Sequence, residues 1–143
     1  MVFRKNKLAV IAGCGRFGAS LADNLCEAGY DVMTIDKDHR SFAMLADSYS
    51  GYQITADASD ITVLEDAGIK EADLFVGATG EDCTNNLICQ IAGRIFHVPH
   101  VYMRLMDPNL AKITKGFGIQ IIYPFRLSMN EFERLSGIEM EEV

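Results

Sequence analysis

The sequence predicts an α/β fold, a doubly wound, mostly parallel six-stranded sheet with helices on both faces. Three observations carry this. Short apolar runs alternate with longer amphipathic ones along the chain, the rhythm of strand-helix units in a parallel sheet. The first run, Leu8 to Ala12, is apolar at every position, as a strand covered on both faces requires. The chain's 143 residues supply one core and no separate second domain, since domains run to roughly 100–200 residues.

Each element follows from its pattern. After Leu8 to Ala12, Arg16 to Ala28 carries Phe17, Leu21, Leu25 and Ala28 at helical spacing, and Gly29 closes it. Asp31 to Ile35 is the second strand. Asp38 to Tyr49 predicts a second helix with Phe42, Leu45, Ala46 and Tyr49 on one face. Tyr52 to Thr55 is a short third strand, and Ile61 to Ala67 a short helix ended by Gly68. Asp73 to Gly77 is the fourth strand, and Asp82 to Phe96 a helix bearing Leu87, Ile88, Ile91, Ala92 and Ile95. His100 to Arg104 follows the Pro99 break as the fifth strand. Asp107 as cap and Pro108 as first residue open a helix to about Lys115. Gln120 to Tyr123 is the sixth strand, stopped by Pro124, and Leu127 to Ser136 a last amphipathic helix before Glu139, Glu141 and Glu142. Right-handed crossovers then predict the strand order 3-2-1-4-5-6.

Composition excludes several function classes. There are 13 Lys and Arg against 20 Asp and Glu, a formal charge of −7, which argues against a nucleic-acid partner because phosphates need clustered cations. No apolar run approaches the ~18–20 residues of a membrane span. Arg4, Lys5 and Lys7 ahead of Leu8 and Cys14 resemble a lipoprotein leader, but the apolar stretch ends at Ile11, short of the ~7–15 residues a leader needs. The expectation is therefore a buried strand running into a turn. Cys14, Cys26, Cys83 and Cys89 form no CxxC pair and read as small buried hydrophobes in a reducing compartment. A zinc set of Cys83, Cys89, His97 and His100 fails on spacing, since Pro99 interrupts the histidines and the two cysteines fall on different helix faces. No metal is expected.

The chemistry-bearing motif is Gly13-Cys14-Gly15-Arg16-Phe17-Gly18, a G-x-G-x-x-G lying after an apolar strand and opening an amphipathic helix. That context makes it a phosphate-binding turn of a Rossmann-like fold. Gly13 permits the tight turn, Gly15 lets backbone approach a pyrophosphate, and Gly18 lets helix and strand pack closely. The helix start presents N–H groups and a positive dipole end. Asp36 ends the second strand about 20 residues past the motif, where an acid accepts hydrogen bonds from ribose hydroxyls. It would repel a 2′-phosphate, favouring NAD or an adenosine nucleotide over NADP, a preference that Lys37 tempers. Arg16 opposes the helix dipole. It is either a forked donor to extra phosphates, as in ATP or ADP, or an exposed side chain.

These residues, with Ala56-Asp57-Ala58-Ser59-Asp60 and Ala78-Thr79-Gly80-Glu81-Asp82 followed by Asn85 and Asn86, resemble the TrkA-N domain family. This is also called the KTN or RCK nucleotide-binding domain of potassium channels and transporters. The resemblance spans nearly the whole chain. It implies a nucleotide-binding domain over residues 1–126, and a helix and acidic tail over 127–143 that contact a partner in a dimer. It implies a cytosolic gating subunit, not an enzyme, that binds NAD(H), ATP, ADP or AMP. Its partner would be a membrane potassium transporter or channel subunit at the inner face of the membrane. Its assembly would be a homo-oligomer, from dimer to octameric ring, or a mixed ring with a second TrkA-like subunit.

Carried over residue by residue, Gly13, Gly15 and Gly18 match the phosphate turn, Arg16 and the adjoining Phe17 the helix start that reaches the phosphates, and Asp36 with Lys37 the ribose end. Asp57 and Ala58 match the segment lining the adenine, Thr79 and Gly80 the loop across the ligand, and Arg104 a basic residue facing the site or the dimer partner. Ala56 and Ser59 stand where the family usually has Gly and Thr, which predicts looser adenine contacts. The chain is expected to lack the C-terminal regulatory domain that many relatives append. In the last helix, Phe125, Met129, Phe132 and Leu135 either meet a partner or cover the sheet.

The rival readings are a small NAD-dependent oxidoreductase and a nucleotide-free scaffold subunit. A hydride-transfer enzyme needs an acid or base beside the nicotinamide. No tyrosine among 30, 49, 52, 102 and 123 has a lysine four residues on. His97 and His100 flank a proline in a turn, and Asp57, Asp60, Glu81 and Asp82 suit helix caps and ribose contacts. No catalytic residue is expected.

Overall fold

Leu8–Ala12 (β1) takes the centre of the sheet because both its faces are apolar. Ala9 and Ile11 point into one core, Val10 and Ala12 into the other, and all four are fully buried. The molecule, described here as a computed structural model, covers residues 6–114 and 118–141. The other strands are β2 (Asp31–Asp36), β3 (Tyr52–Thr55), β4 (Leu74–Gly77), β5 (His100–Arg104) and β6 (Gln120–Ile122). Their order is β3-β2-β1-β4-β5-β6 and every pairing is parallel, as the strand-helix alternation predicts. β1 lies against β2 on one side and β4 on the other, so the chain reverses direction of winding there. The carboxyl ends of strands at such a point leave a crevice.

Helices cover both faces. On one side α1 (Arg16–Glu27) packs with Phe17, Leu21 and Leu25 over Ala9, Ile11, Val32 and Val76. On the other, α2 (Ile61–Asp66) and α3 (Asp82–Gln90) bring Leu64 and Ile88 onto Val10, Ile35, Phe75 and Met103. α4 (Ala111–Thr114) and α5 (Pro124–Ser136) complete the chain. Arg4, Lys5, Lys115 and Glu142, which entered the sequence argument, lie outside the described residues.

Three segments depart from expectation. The helix expected over Asp38 to Tyr49 is only a 3-10 turn, His39–Met44. Polar groups capture the backbone beyond it: the Asp23 carboxylate accepts the Ala46 N–H at 3.1–3.2 Å, and the Tyr49 hydroxyl donates to the carbonyl of Tyr52 at 2.8 Å. A helix would have required those groups to stay free. The long helix from Asp82 keeps α-geometry only to Gln90 and widens into a π-turn over Ile91–Ile95. Phe96 N–H donates to Ile91 C=O at 3.2 Å, the five-residue step of that geometry. Last, Pro124 does not end the sixth strand before a loop. It is the first residue of α5, which therefore starts three positions earlier than the apolar pattern suggested, and a missing N–H costs nothing at that position.

Phe75 is fully buried in the larger core. Phe75→Ala is expected to lower unfolding free energy by about 3–5 kcal/mol. This reads as a lower urea midpoint at unchanged slope; a loss under about 1 kcal/mol would show that the cavity collapses.

Candidate functional site

The glycine turn between β1 and α1 has two glycines that the protein itself requires and one that it does not. Gly13 has φ +104°, and a Cβ there would fall 2.4 Å from the carbonyl oxygen of Ala78. A Cβ on Gly18 would fall 1.9 Å from the carbonyl oxygen of Gly13. Both are close backbone approaches that only glycine allows. Gly15 is extended, with φ −78° and ψ −164°, and a Cβ there would meet nothing within 4 Å. It caps α1 without a side-chain hydrogen bond, and no acid stands in the first turn. The N–H groups opening this 12-residue helix thus face outward with no acceptor from a capping side chain.

Asp36 closes the end of β2 against that turn. Its Oδ2 accepts the Cys14 N–H at 2.8 Å and its Oδ1 accepts the Asp38 N–H at 2.8 Å. Each oxygen keeps a lone pair for a further donor. This bracing role has no signature in the local residue pattern. Asp38 is held down to about 2 by hydrogen bonds from Arg40. Buried beside Asp36, the Cys14 thiol is pushed up to about 11, chiefly by burial and then by the Asp36 charge.

The opposite walls are built by capping. After β3, the Asp57 carboxylate accepts both the N–H and the hydroxyl of Ser59, at 2.9 and 2.7 Å, which hold it below the usual carboxylate range. Asp60 then caps α2 through the Thr62 N–H at 2.9 Å. After β4, buried Asn85 accepts the N–H and hydroxyl of Thr79, at 2.9 and 2.6 Å. It also donates to the carbonyls of Thr79 and Arg104, both at 3.1 Å. Asp82 accepts the N–H groups of Met106 and Asp107, at 2.9 and 2.8 Å. Asn85 and Asp82 lock the loops beyond β4 and β5 to the start of α3.

These elements enclose a cleft of about 550 Å³ at the carboxyl ends of the strands, within the ~300–1,000 Å³ of small-molecule sites. Of the residues singled out from sequence, Gly13, Gly15, Asp36, Lys37, Asp57, Ala58, Thr79, Gly80 and Arg104 line it. Gly18 lies buried beneath the turn. Arg16 is exposed at the start of α1, and Phe17 stands behind the wall with its ring centroid 5.6 Å from the Arg104 guanidinium carbon. Glu81, one of the acids suited to caps and ribose contacts, also lines it, as do Ser41 and Thr84, which carry no signal in the sequence; Ser41 sits in the 3-10 turn that replaces the expected helix. Charges are mixed, with Asp36, Asp57 and Glu81 against Lys37 and Arg104.

Other residues fall elsewhere. His97 and His100 are both exposed, and Cys83 is exposed rather than buried, contrary to expectation, because position 83 faces outward on α3. α5 buries none of its residues, so it does not cover the sheet. Phe125, Leu127, Phe132 and Leu135 are exposed along it.

Comparison with known proteins agrees with this geometry. The TrkA-N domain profile matches residues 9–124. The Trk system potassium uptake protein TrkA of Streptomyces coelicolor is 34% identical over 125 residues, which is 87% of this chain and 56% of that protein. A TrkA homolog of Methanothermobacter thermautotrophicus is 36% identical over 127 residues, 88% of this chain and 58% of that one. The chain thus spans little more than half the length of these relatives. Among solved structures, the TrkA-N domain of Escherichia coli inner membrane protein ybaL superposes with a TM-score of 0.80 at 14% identity, covering 93% and 98% of the two chains. The Kef CTD of Shewanella denitrificans in AMP-bound form gives 0.69 at 21%, over 94% and 84%. The GsuK channel gives 0.67 bound to NAD, over 85% and 22%, and 0.70 bound to ADP, over 86% and 32%, each at 14% identity. These likenesses show the Rossmann-like fold.

Two outcomes test the site's construction. Asn85→Ala orphans the Thr79 N–H and is expected to cost about 1–3 kcal/mol, against under about 0.5 kcal/mol for the neighbouring Asn86→Ala. Iodoacetamide at pH 8 should label Cys83 in the native protein and spare Cys14 and Cys89, whose buried thiols are held near 11 and 12 and so stay protonated. Labelling of Cys14 as fast as Cys83 would contradict the buried turn.

Proposed function

Because the chain belongs to the TrkA-N domain family, we propose that it is a nucleotide-sensing regulatory element of a potassium uptake system or channel. It binds an adenine nucleotide in the cleft at the strand ends. The observation that carries this is the contrast among the three glycines: packing demands Gly13 and Gly18, while nothing in the protein demands Gly15. A residue kept bare where its side chain would enter an open cleft is what backbone contact with a pyrophosphate requires. The mixed charges suit a ligand with both hydroxyls and phosphates.

In this reading the N–H groups of Gly15, Arg16 and Phe17 face the phosphates, Gly18 brings the helix close enough, and Arg16 reaches over from the rim. Asp36, with a lone pair left on each oxygen, accepts a ribose hydroxyl beside Lys37. Asp57 and Ala58 flank the adenine, and Thr79, Gly80 and Arg104 bound the far side. The reading is supported by relatives named for potassium uptake and by neighbours holding NAD, ADP or AMP. No step of catalysis is assigned; the ligand acts by binding one arrangement of the assembly better than another.

The partner in this reading is a membrane potassium transporter or channel subunit. Among the described residues no helix is long and apolar enough to cross a membrane. The domain would work from the cytoplasmic side through that partner, with the apolar side chains of α5 serving a dimer and, through it, a homo-oligomeric or mixed ring.

Calorimetry with ATP, ADP, AMP, NAD and NADH is the test. The wild type is expected to bind at least one of them at micromolar levels. Gly15→Ala should leave the unfolding midpoint unchanged while weakening binding at least about tenfold, or about 1.4 kcal/mol. Asp36→Ala should weaken binding and lower stability together, since it also releases the Cys14 N–H. Absence of micromolar binding by the wild type would overturn the proposal.

A further inference from the structure

We infer that Asp82 is a positioning residue that couples the cleft to α5, by tying the loop along the cleft to the backbone from which the last helix hangs. The inference rests on the nucleotide-binding reading above and names the regulation of that same site. Ligand and partner act on each other only through structure that both bias. Here the two regions are otherwise separate. No residue after Arg104 lines the cleft, and α5 buries none of its own residues. A cavity of about 340 Å³ lies along α5, with Pro108, Tyr123 and Met129 in its walls, so on that side the helix is held by polar ties rather than by packing.

Those ties form an unbroken chain of hydrogen bonds. Thr79, Gly80 and Glu81 line the cleft, and Asp82 follows as the first residue of α3 without lining it. The Asp82 Oδ1 accepts the Met106 N–H at 2.9 Å and its Oδ2 the Asp107 N–H at 2.8 Å. Asp107 in turn caps the 3-10 turn Pro108–Leu110, accepting the Asn109 N–H at 2.9 Å. Within that turn the Pro108 carbonyl accepts the Tyr123 hydroxyl at 2.9 Å. Tyr123 is the residue before α5, and its carbonyl accepts the Leu127 N–H at 3.0 Å. Burial raises the Tyr123 phenol above its ordinary pKa; Arg126 offsets part of the rise, and the charges of Asp107 and Asp82 add to it. The three side chains therefore act within one neighbourhood.

Asp82 is the link on which the chain turns. Met106 and Asp107 are exposed, so apolar packing does not fix them, and their backbone takes its place from the carboxylate. An ionised carboxylate holding two successive N–H groups sets their orientation as well as their position. Asn85 also reaches across, to the Arg104 carbonyl, but that tie ends inside β5 and leaves the segment beyond it free to pivot. A ligand lying against Thr79 and Gly80 would quiet the start of α3 and, through Asp82, the segment that carries α5. Coupling of this kind needs a change in mobility, not a large displacement.

Proton–nitrogen correlation NMR on the full chain tests this from both ends. Without ligand, Asp82→Asn should move the Leu127 amide resonance by more than its linewidth. Tyr123→Phe, which removes one hydroxyl away from the cleft, should move that of Gly80 likewise. Asp60→Asn, which loosens the cap of α2 on the other wall, should leave Leu127 in place. ADP or NAD, at a concentration that calorimetry shows to be saturating, should move Leu127 in the wild type and in Asp60→Asn. The same probe should fail to move it in Asp82→Asn and Tyr123→Phe, although Gly15 responds in all four proteins. If Asp82→Asn does not fold, Tyr123→Phe supplies both readings. A Leu127 resonance that ignores the bound probe in the wild type, a response that survives in either variant, or a Gly80 resonance unmoved by Tyr123→Phe would overturn the coupling. Failure of the wild type to bind either probe would overturn the nucleotide-binding reading instead, and the ligand-free shifts would then decide the coupling alone.

Discussion

Three elements of this domain meet on one atom-sized vacancy, the missing Cβ of Gly13. Its N–H donates to the end of β2 at Ile35, its Cα lies against the carbonyl of Ala78 past the end of β4, and its own carbonyl sits under Gly18 of α1. Each contact leaves less than 3 Å for an added carbon at Gly13 or Gly18, so no side chain fits either position without moving backbone. The positive φ at Gly13 adds a second reason for glycine there. The cleft exists because the three strand ends converge this closely while α1 is still able to start between them. Asp36 then fixes the turn from the side by accepting the N–H groups of Cys14 and Asp38.

The rest of the cleft is held by carboxylates and one amide rather than by apolar packing. Asp57, Asp60, Asp82 and Asn85 each tie down the loop after a strand or the start of a helix. Such polar fastening suits a site that must stay open, because a loop can be fixed from beneath without filling the space above it. Buried Asn85 is the most connected of these, joining the β4 and β5 ends through four hydrogen bonds. A chain rich in acids at these turns therefore has a negative formal charge for architectural reasons as much as for recognition.

Most of the fold was legible in the residues because burial on two faces leaves a continuous apolar signature, as at Leu8–Ala12 and Leu74–Gly77. The strand order followed from crossover handedness alone. Nine of the twelve residues assigned to the ligand by motif and resemblance line the cleft, since glycine spacing and strand-end acids are tied to backbone geometry. What stayed hidden depended on partners distant in sequence. The capture of Ala46 by Asp23 and of Tyr52 by Tyr49 unmade a helix whose local pattern was sound. The inward turn of Asn85 could not be distinguished from the outward one of Asn86. The contact of Arg104 with Phe17 joins residues far apart in the chain, and nothing local announces it.

The last helix places a thermodynamic quantity outside the domain. α5 has 13 residues and buries none of them. Its order rests on Pro124 at the first position, the Tyr123 hydroxyl on the Pro108 carbonyl, the Glu131–Arg134 pair and the left-handed stop at Gly137. Helices shorter than about 12–15 residues are marginal in water when local terms alone support them. The free energy of this segment is accordingly decided by whatever lies against it. Its amide protons report the surroundings, while those of β1 report the fold.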